Sequence, residues 1–207
     1  MQSPHNLSHR PPLQASGALR SIQTGLVRPL LVDGRKLVSA IGKTSVAGPI
    51  AVGPLGLAGD EQADLSVHGG LSKAVYALPS EHLPWWQAQR QAQGVTLFDE
   101  PLPAGFLGEN LSLQGILEAD LFLGDCLDFG DVLLRVTQPR EPCGKFNAVM
   151  GYKHAAKDMV QSGRCGFYLA VDRPGLLQAG AIFTLIPGPR SVGVVQALKH
   201  KAWKHLR

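Results

Sequence analysis

Short apolar segments, each bounded by glycine, proline or aspartate, recur along the chain and constrain its fold more than any other feature of the sequence. The 207 residues include 24 glycines and 15 prolines, and only 17% of them are charged. So many turn residues favour short strands over long helices. The segments that fit this description are residues 26–31, 36–41, 50–52, 73–78, 110–113, 126–129, 132–138, 167–171 and 182–186. Regular short strands of this kind predict a mainly β fold, either a barrel or a sandwich.

Turn and capping residues refine this prediction. The dipeptide Asp33-Gly34 joins the first two segments and tolerates the positive φ angles of a type I′ turn, which predicts a β-hairpin. Only a few helices are predicted, and the loop at residues 104–108 leads into a strand. The helices are expected at residues 80–93 with Ser80 as N-cap, at 147–162 before a terminating Gly163, and at 191–206.

The chain length predicts one domain with a continuous core and a short segment at each end. Residues 1–25 contain several serines and no acidic residue, and we predict that they form a flexible N-terminal tail. Residues 26–188 are predicted to form the β domain, and residues 189–207 a short C-terminal helix.

Composition limits the kinds of partner. The net charge of +4 and the pI of about 9.1 favour an anionic ligand, but the sequence contains no RNA-binding or zinc-finger pattern, so we expect no nucleic-acid partner. Three cysteines without a CxxC pair predict neither a disulfide framework nor a cysteine-only zinc site, and they suit a reducing compartment. No apolar run reaches about 18 residues, so we expect a soluble cytoplasmic protein without a membrane segment.

The densest polar cluster covers residues 59–64 and continues to His68 and Lys73. Acids, an amide, an imidazole and a lysine among glycines are typical of a binding loop. A solvated turn whose aspartates cap backbone amides explains the same composition. Metal binding by His68 with Asp60 and Asp64 matches no common zinc or calcium spacing.

A second candidate site is the segment 138–145, which follows the alternating strand 132–138 and carries Cys143. Two prolines make this segment a stiff turn. Arg140 and Lys145 supply positive charge that favours the thiolate, the form of cysteine that binds metals and attacks electrophiles. The alternative is that the cysteine is a buried small apolar residue, which is what we expect for Cys126.

Weaker signals lie on either side of these two segments. Ser39 and Lys43 belong to the end of the predicted hairpin, where Lys43 is either a phosphate ligand or an exposed strand residue. Asn110 follows a Gly-Glu pair directly before a strand, and Gly124-Asp125 precedes another strand.

The order of these motifs resembles the MOSC family, the β-barrel domain shared with molybdenum-cofactor sulfurases, and within it the stand-alone bacterial branch of the YiiM type. The resemblance covers roughly residues 26–188. It depends on Ser39-Ala40-Ile41-Gly42-Lys43, Gly59-Asp60-Glu61-Gln62-Ala63-Asp64, His68-Gly69-Gly70, Gly108-Glu109-Asn110-Leu111, Gly124-Asp125, Gln138-Pro139-Arg140, Pro142-Cys143, Gly163-Arg164 and Gly166-Phe167-Tyr168.

The resemblance implies a barrel that binds the molybdenum cofactor, a molybdopterin, with Cys143 as the metal ligand. It also implies reduction of N-hydroxylated compounds, such as hydroxylaminopurine-type base analogues. His68 and Asp60 would join Cys143 as catalytic residues, with His68 or an acid supplying the proton that makes the departing oxygen water. The expected cofactor-binding residues are Ser39, Lys43, Gln62, Asp64, Asn110, Arg140 and Lys145.

The sequence has no dinucleotide motif and too few cysteines for a four-cysteine iron–sulfur cluster, so electrons are expected from an external flavin or iron–sulfur reductase. The basic segment 199–207 is a candidate docking surface for such a partner. Many relatives of this type carry a C-terminal helical bundle, and residues 191–206 resemble a truncated remnant of it. We expect a monomer or homodimer. Two alternatives remain: a sulfur or cofactor carrier that uses Cys143 without turnover, and a binding module for an anionic metabolite.

Overall fold

The structure is a computed structural model that describes residues 15–32, 35–63, 69–96 and 100–204. Among these residues, strands predominate and the α-helices are short. The strands are β1 (Ser16–Thr24), β2 (Arg28–Val32), β3 (Arg35–Ser39), β4 (Thr44–Ser45), β5 (Ile50–Gly53), β6 (Gly56–Leu57), β7 (Val75–Pro79), β8 (Leu111–Gln114), β9 (Cys126–Asp128), β10 (Leu133–Pro139), β11 (Phe167–Arg173), β12 (Gly175–Leu177) and β13 (Ile182–Ile186). The helices are α1 (Leu83–Ala92), α2 (Phe146–Met150), α3 (Ala155–Ser162) and α4 (Val194–Lys204).

Seven of the strands close into a barrel, which confirms the mainly β prediction and decides for a barrel over a sandwich. Their order is β13-β9-β10-β11-β7-β8-β1, and β1 pairs back onto β13. Neighbouring strands are antiparallel except β7 and β8, which are parallel. Side chains from these strands form the larger apolar core, in which Leu113, Leu127 and Phe167 are fully buried. The predicted hairpin is confirmed as the pair β2–β3, which lies outside the barrel, and its Asp33-Gly34 turn lies outside the described residues.

The N-terminal boundary that we predicted is wrong for residues 16–24. These residues form β1, which pairs with β8 on one side and β13 on the other and so closes the barrel. Leu19 and Ile22 are both buried although they are three residues apart, because the pairing with β8 shifts register between Leu19 and Ser21. This irregularity removes the period-two pattern that marks a strand in sequence. The rest of the predicted tail, residues 1–14, lies outside the described residues.

The predicted helices exist but differ at their ends. Residues 80–82 form a 3-10 turn without a side-chain cap from Ser80, so α1 begins only at Leu83. The predicted helix 147–162 is interrupted at Gly151, whose φ of +80° belongs to the left-handed region, and Gly163 ends α3 as predicted. No helix within the described ranges is long and apolar enough to cross a membrane. All four helices pack outside the barrel around a second apolar cluster, whose buried members are Leu78, Trp86, Leu102, Leu107, Phe146, Met150, Tyr152, Ala155, Met159, Cys165 and Leu198.

The position of β1 in the barrel leads to a stability prediction. We expect Leu19→Ala to lower the free energy of unfolding by about 3 kcal/mol, because it leaves a cavity in a closed core. Arg20→Ala, at the adjacent exposed position, should change it by no more than about 0.5 kcal/mol. Urea denaturation of both variants tests this, and equal small effects would mean that this segment does not close the barrel.

Candidate functional site

An open cavity of about 650 Å³ lies where the hairpin, the 59–63 segment and the turn after β10 meet the barrel. It gathers eight of the ten residues that the sequence indicated as site residues: Ser39, Lys43, Asp60, Gln62, Asn110, Arg140, Cys143 and Lys145. The other two, Asp64 and His68, lie outside the described residues. The remaining lining residues are Ala40, Ile41, Glu61, Ala63, Gly69, Lys73, Tyr76, Leu107, Gly108 and Tyr168.

Cys143 is half-buried and faces this cavity, as predicted. It lies in the turn between β10 and α2, where its carbonyl accepts a hydrogen bond from the Phe146 N–H at 2.9 Å. At the start of the turn the Arg140 N–H donates to the Gly166 carbonyl at 3.2 Å, and at its end the Lys145 ammonium donates to the Val38 carbonyl at 2.5 Å. These contacts fix both ends of the cysteine turn against the barrel and the hairpin.

The prediction that Cys126 is a buried apolar residue is wrong. In the short strand β9, Leu127 points into the core, so Cys126 and Asp128 alternate to the outer face. Cys126 is partly exposed, and its thiol donates to the Gly124 carbonyl at 3.7 Å. The buried cysteine is Cys165, and burial raises the pKa of its thiol well above the ordinary value.

Arg140 is almost fully buried, but its contacts are with aromatic rings. Its guanidinium carbon lies 4.8 Å from the centroid of Phe146 and 5.7 Å from that of Tyr76, and one nitrogen lies 3.5 Å from the sulfur of Met159. Such partners hold the guanidinium in place without neutralising its charge. Arg140 therefore presents a fixed positive charge at the cavity, close in sequence to Cys143.

The Asp60 carboxylate is buried and accepts three hydrogen bonds. One oxygen accepts from the Lys43 ammonium and from the Gly25 N–H at 2.9 Å, and the other accepts from the Asn110 side-chain amide at 2.8 Å. A carboxylate that only accepts hydrogen bonds orients its donors and supplies no proton. The geometry therefore does not support the catalytic role that we predicted for Asp60, and it favours a role in placing Lys43. Burial lowers the pKa of Lys43, although Asp60 opposes this shift.

Asn110 has a framework role as well. Its amide nitrogen donates to Asp60 and to the Gln23 carbonyl at 3.2 Å, while its amide oxygen accepts from the Tyr76 N–H at 3.1 Å. Because Gln23 belongs to β1 and Tyr76 to β7, one side chain connects two barrel strands with the polar segment. These contacts use both ends of the amide, so the structure gives no support to direct cofactor binding by Asn110.

Ser39 and Gln62 also contact the protein's own backbone. The Ser39 hydroxyl accepts from the Ile41 N–H at 3.2 Å. The Gln62 amide donates to the carbonyls of Leu55 at 3.3 Å and Ala74 at 3.4 Å. Both side chains line the cavity while stabilising the segments that carry them, so their predicted roles in cofactor binding stay predictions.

Glu109 is a buried acid beside the cavity to which the sequence analysis assigned no role. Its carboxylate accepts from the N–H groups of Gly105 at 2.6 Å and Leu107 at 3.1 Å, and it lies 3.5 Å from the Ser112 hydroxyl. Burial raises its pKa to about 7. The signal in the sequence is a single acid placed directly before an apolar strand. Through the 105–107 loop, Glu109 fixes the cavity wall formed by Leu107 and Gly108.

The cavity is richer in cations than in anions. Lys43, Lys73, Arg140 and Lys145 line it, against the two acids Asp60 and Glu61. Two aromatic residues also line it, Tyr76 and Tyr168, whose ring centroids lie 5.5 Å apart. Burial raises the pKa of both phenols, so both are neutral at physiological pH. A ligand with an anionic group and a planar part suits these surroundings.

No group of three or more histidine, cysteine or acidic side chains able to hold a metal ion is found in the part of the chain that the structure describes. Among those residues, Cys143 is the soft metal ligand that faces the cavity. A metal held here could take this thiolate as its soft ligand.

A closed barrel with an accessible cysteine at a cationic cavity beside it defines the class of this protein: a β-barrel domain with a cysteine-lined cavity. The chain belongs to the MOSC domain family, whose pattern matches residues 64–184.

The relatives agree with the stand-alone YiiM branch. The chain is 37% identical over 159 residues to Protein YiiM of Escherichia coli (strain K12), covering 77% of this chain and 69% of that protein. It is 32% identical over 179 residues to a protein named Reductase from Gibberella moniliformis (strain M3125 / FGSC 7600), covering 86% of this chain but 31% of that one. The crystal structure of YiiM from Geobacillus stearothermophilus matches with a TM-score of 0.68 at 31% identity, covering 91% of this chain and 85% of that chain.

The raised pKa of Glu109 predicts a pH dependence of stability. Because the folded protein holds this proton up to about pH 7, whereas an ordinary carboxyl loses it near 4.5, the stabilisation is full below pH 4.5 and is lost as pH rises through 7. We expect the free energy of unfolding to fall by about 2–3 kcal/mol from this group between pH 5 and 8.

Denaturation of wild type, Glu109→Gln and the exposed control Glu100→Gln across this range measures the effect. Glu109→Gln should remove this part of the slope, and Glu100→Gln should keep it. Parallel curves for wild type and Glu109→Gln would contradict the assignment.

Proposed function

We propose that the chain binds a molybdenum cofactor in this cavity through Cys143 and reduces N-hydroxylated compounds with electrons from a separate reductase. The observation that carries the proposal is the position of Cys143: a half-buried thiol that faces a cationic cavity in a MOSC barrel. A packed core cysteine would have no ligand to meet, whereas this thiol is accessible from the cavity.

The residues present fit such a cofactor. A thiolate is a soft ligand that suits molybdenum. Lys43, Arg140 and Lys145 lie where they can offset the charge of the cofactor's phosphate. Tyr76 and Tyr168 line the same cavity, where an aromatic side chain can pack against the planar part of a pterin.

The cofactor would supply two-electron chemistry at the metal, and the chain's own residues would supply binding, orientation and protons. Cys143 would hold the metal, and the ring-packed Arg140 would fix an anionic group near it. Lys43, oriented by Asp60, would hold a second anionic group. His68 stays the proposed proton donor, because Asp60 already accepts hydrogen bonds from three donors.

Electrons would come from an external flavin or iron–sulfur reductase. The sequence contributes three cysteines, none of them in a disulfide, and no dinucleotide motif. The matched segment is 31% of the fungal protein named Reductase, so most of that chain lies outside the match. On α4, Lys199 and His200 are exposed and form a candidate docking surface, whereas Lys201 is paired with Glu141. We further propose a cytoplasmic monomer or homodimer.

The ligand assignment predicts the effect of one substitution. Cys143→Ser should leave folding intact and abolish retention of molybdenum and pterin, because a hydroxyl of similar size is a poor ligand for a soft metal. Cys126→Ser should retain both, since Cys126 lies on the outer face of β9. Metal analysis and fluorescence of the released, oxidised pterin, on protein from a host that makes the cofactor, measure this. Equal retention by the two variants would show that Cys143 is not the ligand.

The electron scheme predicts which donors support turnover. Cofactor-loaded protein should reduce a hydroxylamine with an artificial one-electron donor, but not with NAD(P)H alone until a reductase is added. Substrate loss measured by chromatography gives the rates. Turnover with NAD(P)H alone would refute the external donor. If fully loaded protein shows no turnover with any of these donors, the carrier function replaces the reductase.

A further inference from the structure

The turn that carries Cys143 is fastened to the C-terminal helix by one lysine. The Lys201 ammonium on α4 donates to the Glu141 carboxylate at 2.6 Å and to the Gln138 side-chain oxygen at 3.0 Å. Gln138 lies near the end of β10, and Glu141 lies in the turn itself, two residues before Cys143. One ammonium therefore connects the end of a barrel strand, the cysteine turn and α4.

The helix that carries this lysine is itself anchored. The Val194 N–H donates to the Leu121 carbonyl at 2.9 Å, and Val194 and Leu198 are buried. Lys201 therefore extends from a helix that is fixed at its first residue and midway along its length, and it can restrain the less regular turn.

The backbone hydrogen bonds of the turn lie at its two ends. Pro139 and Pro142 lack N–H donors, and the backbone bonds that hold the turn are those from Arg140 to Gly166 and from Phe146 to Cys143. The Lys201–Glu141 pair is about one-third exposed on each side, at 36% and 35% of the side-chain surface. Such a pair adds little to global stability and is weakened by salt. Its effect should therefore be local, on the position of the turn.

We propose that Lys201 is a positioning residue for Cys143, so that the surface of α4 and the geometry of the cysteine turn are coupled. Any acidic group that binds Lys201 from solvent competes with Glu141 and releases the turn. The functional meaning rests on the proposed function, in which Cys143 is the ligand of the cofactor. The contact itself does not depend on that function and can be tested without cofactor.

The experiment compares cofactor-free wild type with Lys201→Glu, Lys201→Met, Glu141→Lys and the exchanged double variant Lys201→Glu/Glu141→Lys. Lys199→Glu is the matched control, because Lys199 is exposed on the same helix and undergoes the same charge change. Hydrogen exchange of peptides that cover residues 140–146 reports the turn. Alkylation of Cys143 by iodoacetamide, followed by peptide mass spectrometry as a function of pH, reports its accessibility. The plateau rate for the fully ionised thiol is obtained by fitting rates measured below about pH 9, where the Lys201 ammonium keeps its charge.

We expect each single change at Lys201 or Glu141 to increase the hydrogen-exchange rate of the turn and the plateau alkylation rate of Cys143 by about threefold. A change of this size is what the loss of one exposed ion pair can produce. Thermal stability and the alkylation of Cys126 should stay unchanged. The double variant should return to wild-type values, and Lys199→Glu should not depart from them. High salt should move wild type towards the Lys201→Met rates.

Wild-type exchange and alkylation rates in both Lys201 variants, or a double variant no slower than the single ones, would overturn the proposal. Failure of the reductase or carrier function would leave this result standing, because no cofactor or substrate takes part in the measurement. Conversely, a rigid turn in every variant would refute the coupling without affecting the assignment of Cys143 as ligand.

Discussion

The buried carboxylate of Asp60 holds together the segments that form the cavity. Its hydrogen-bond donors come from three separate parts of the chain, namely Lys43 after the hairpin, Gly25 after β1 and Asn110 before β8. A buried charge is costly unless it is paired and hydrogen-bonded. Asp60 can therefore be buried at low cost only when all three segments are in place. We infer that these segments assemble cooperatively into the cavity wall. Loss of one donor would leave a partly unpaired charge at the centre of the site.

Much of the fold and the membership of the cavity could be predicted from the sequence, because both depend on local signals. Asp33-Gly34 indicated the β2–β3 pair, and the ordered motifs indicated the residues that meet at the cavity. Strand β1 was not predicted, because its register shift places Leu19 and Ile22 on the same side and removes the alternating pattern. Roles were harder to assign than positions, since sequence shows that Asp60 is an acid but not that its oxygens are already occupied.

The two halves of the Gly-Glu-Asn motif show why a weak sequence signal marked an important place. Glu109 fixes the 105–107 loop through backbone N–H groups, and Asn110 connects β1, β7 and Asp60. Neither side chain needs to touch a ligand to shape the cavity. In this protein the polar pair before an apolar strand therefore marks residues that stabilise the cavity wall. The side chains that remain available to contact a ligand belong to the cysteine turn and to the lysines.

The contacts of the acids give a stronger physical reason to expect an anionic ligand in the cavity than the net charge of +4 does. Asp60 and Glu61 both accept hydrogen bonds from backbone amides, and Asp60 also pairs with Lys43. Arg140 instead packs on aromatic rings, and Lys145 donates to a carbonyl. Those partners are uncharged, so the positive charge beside Cys143 is placed without being cancelled. The same arrangement that positions the thiol therefore favours a ligand that brings negative charge of its own.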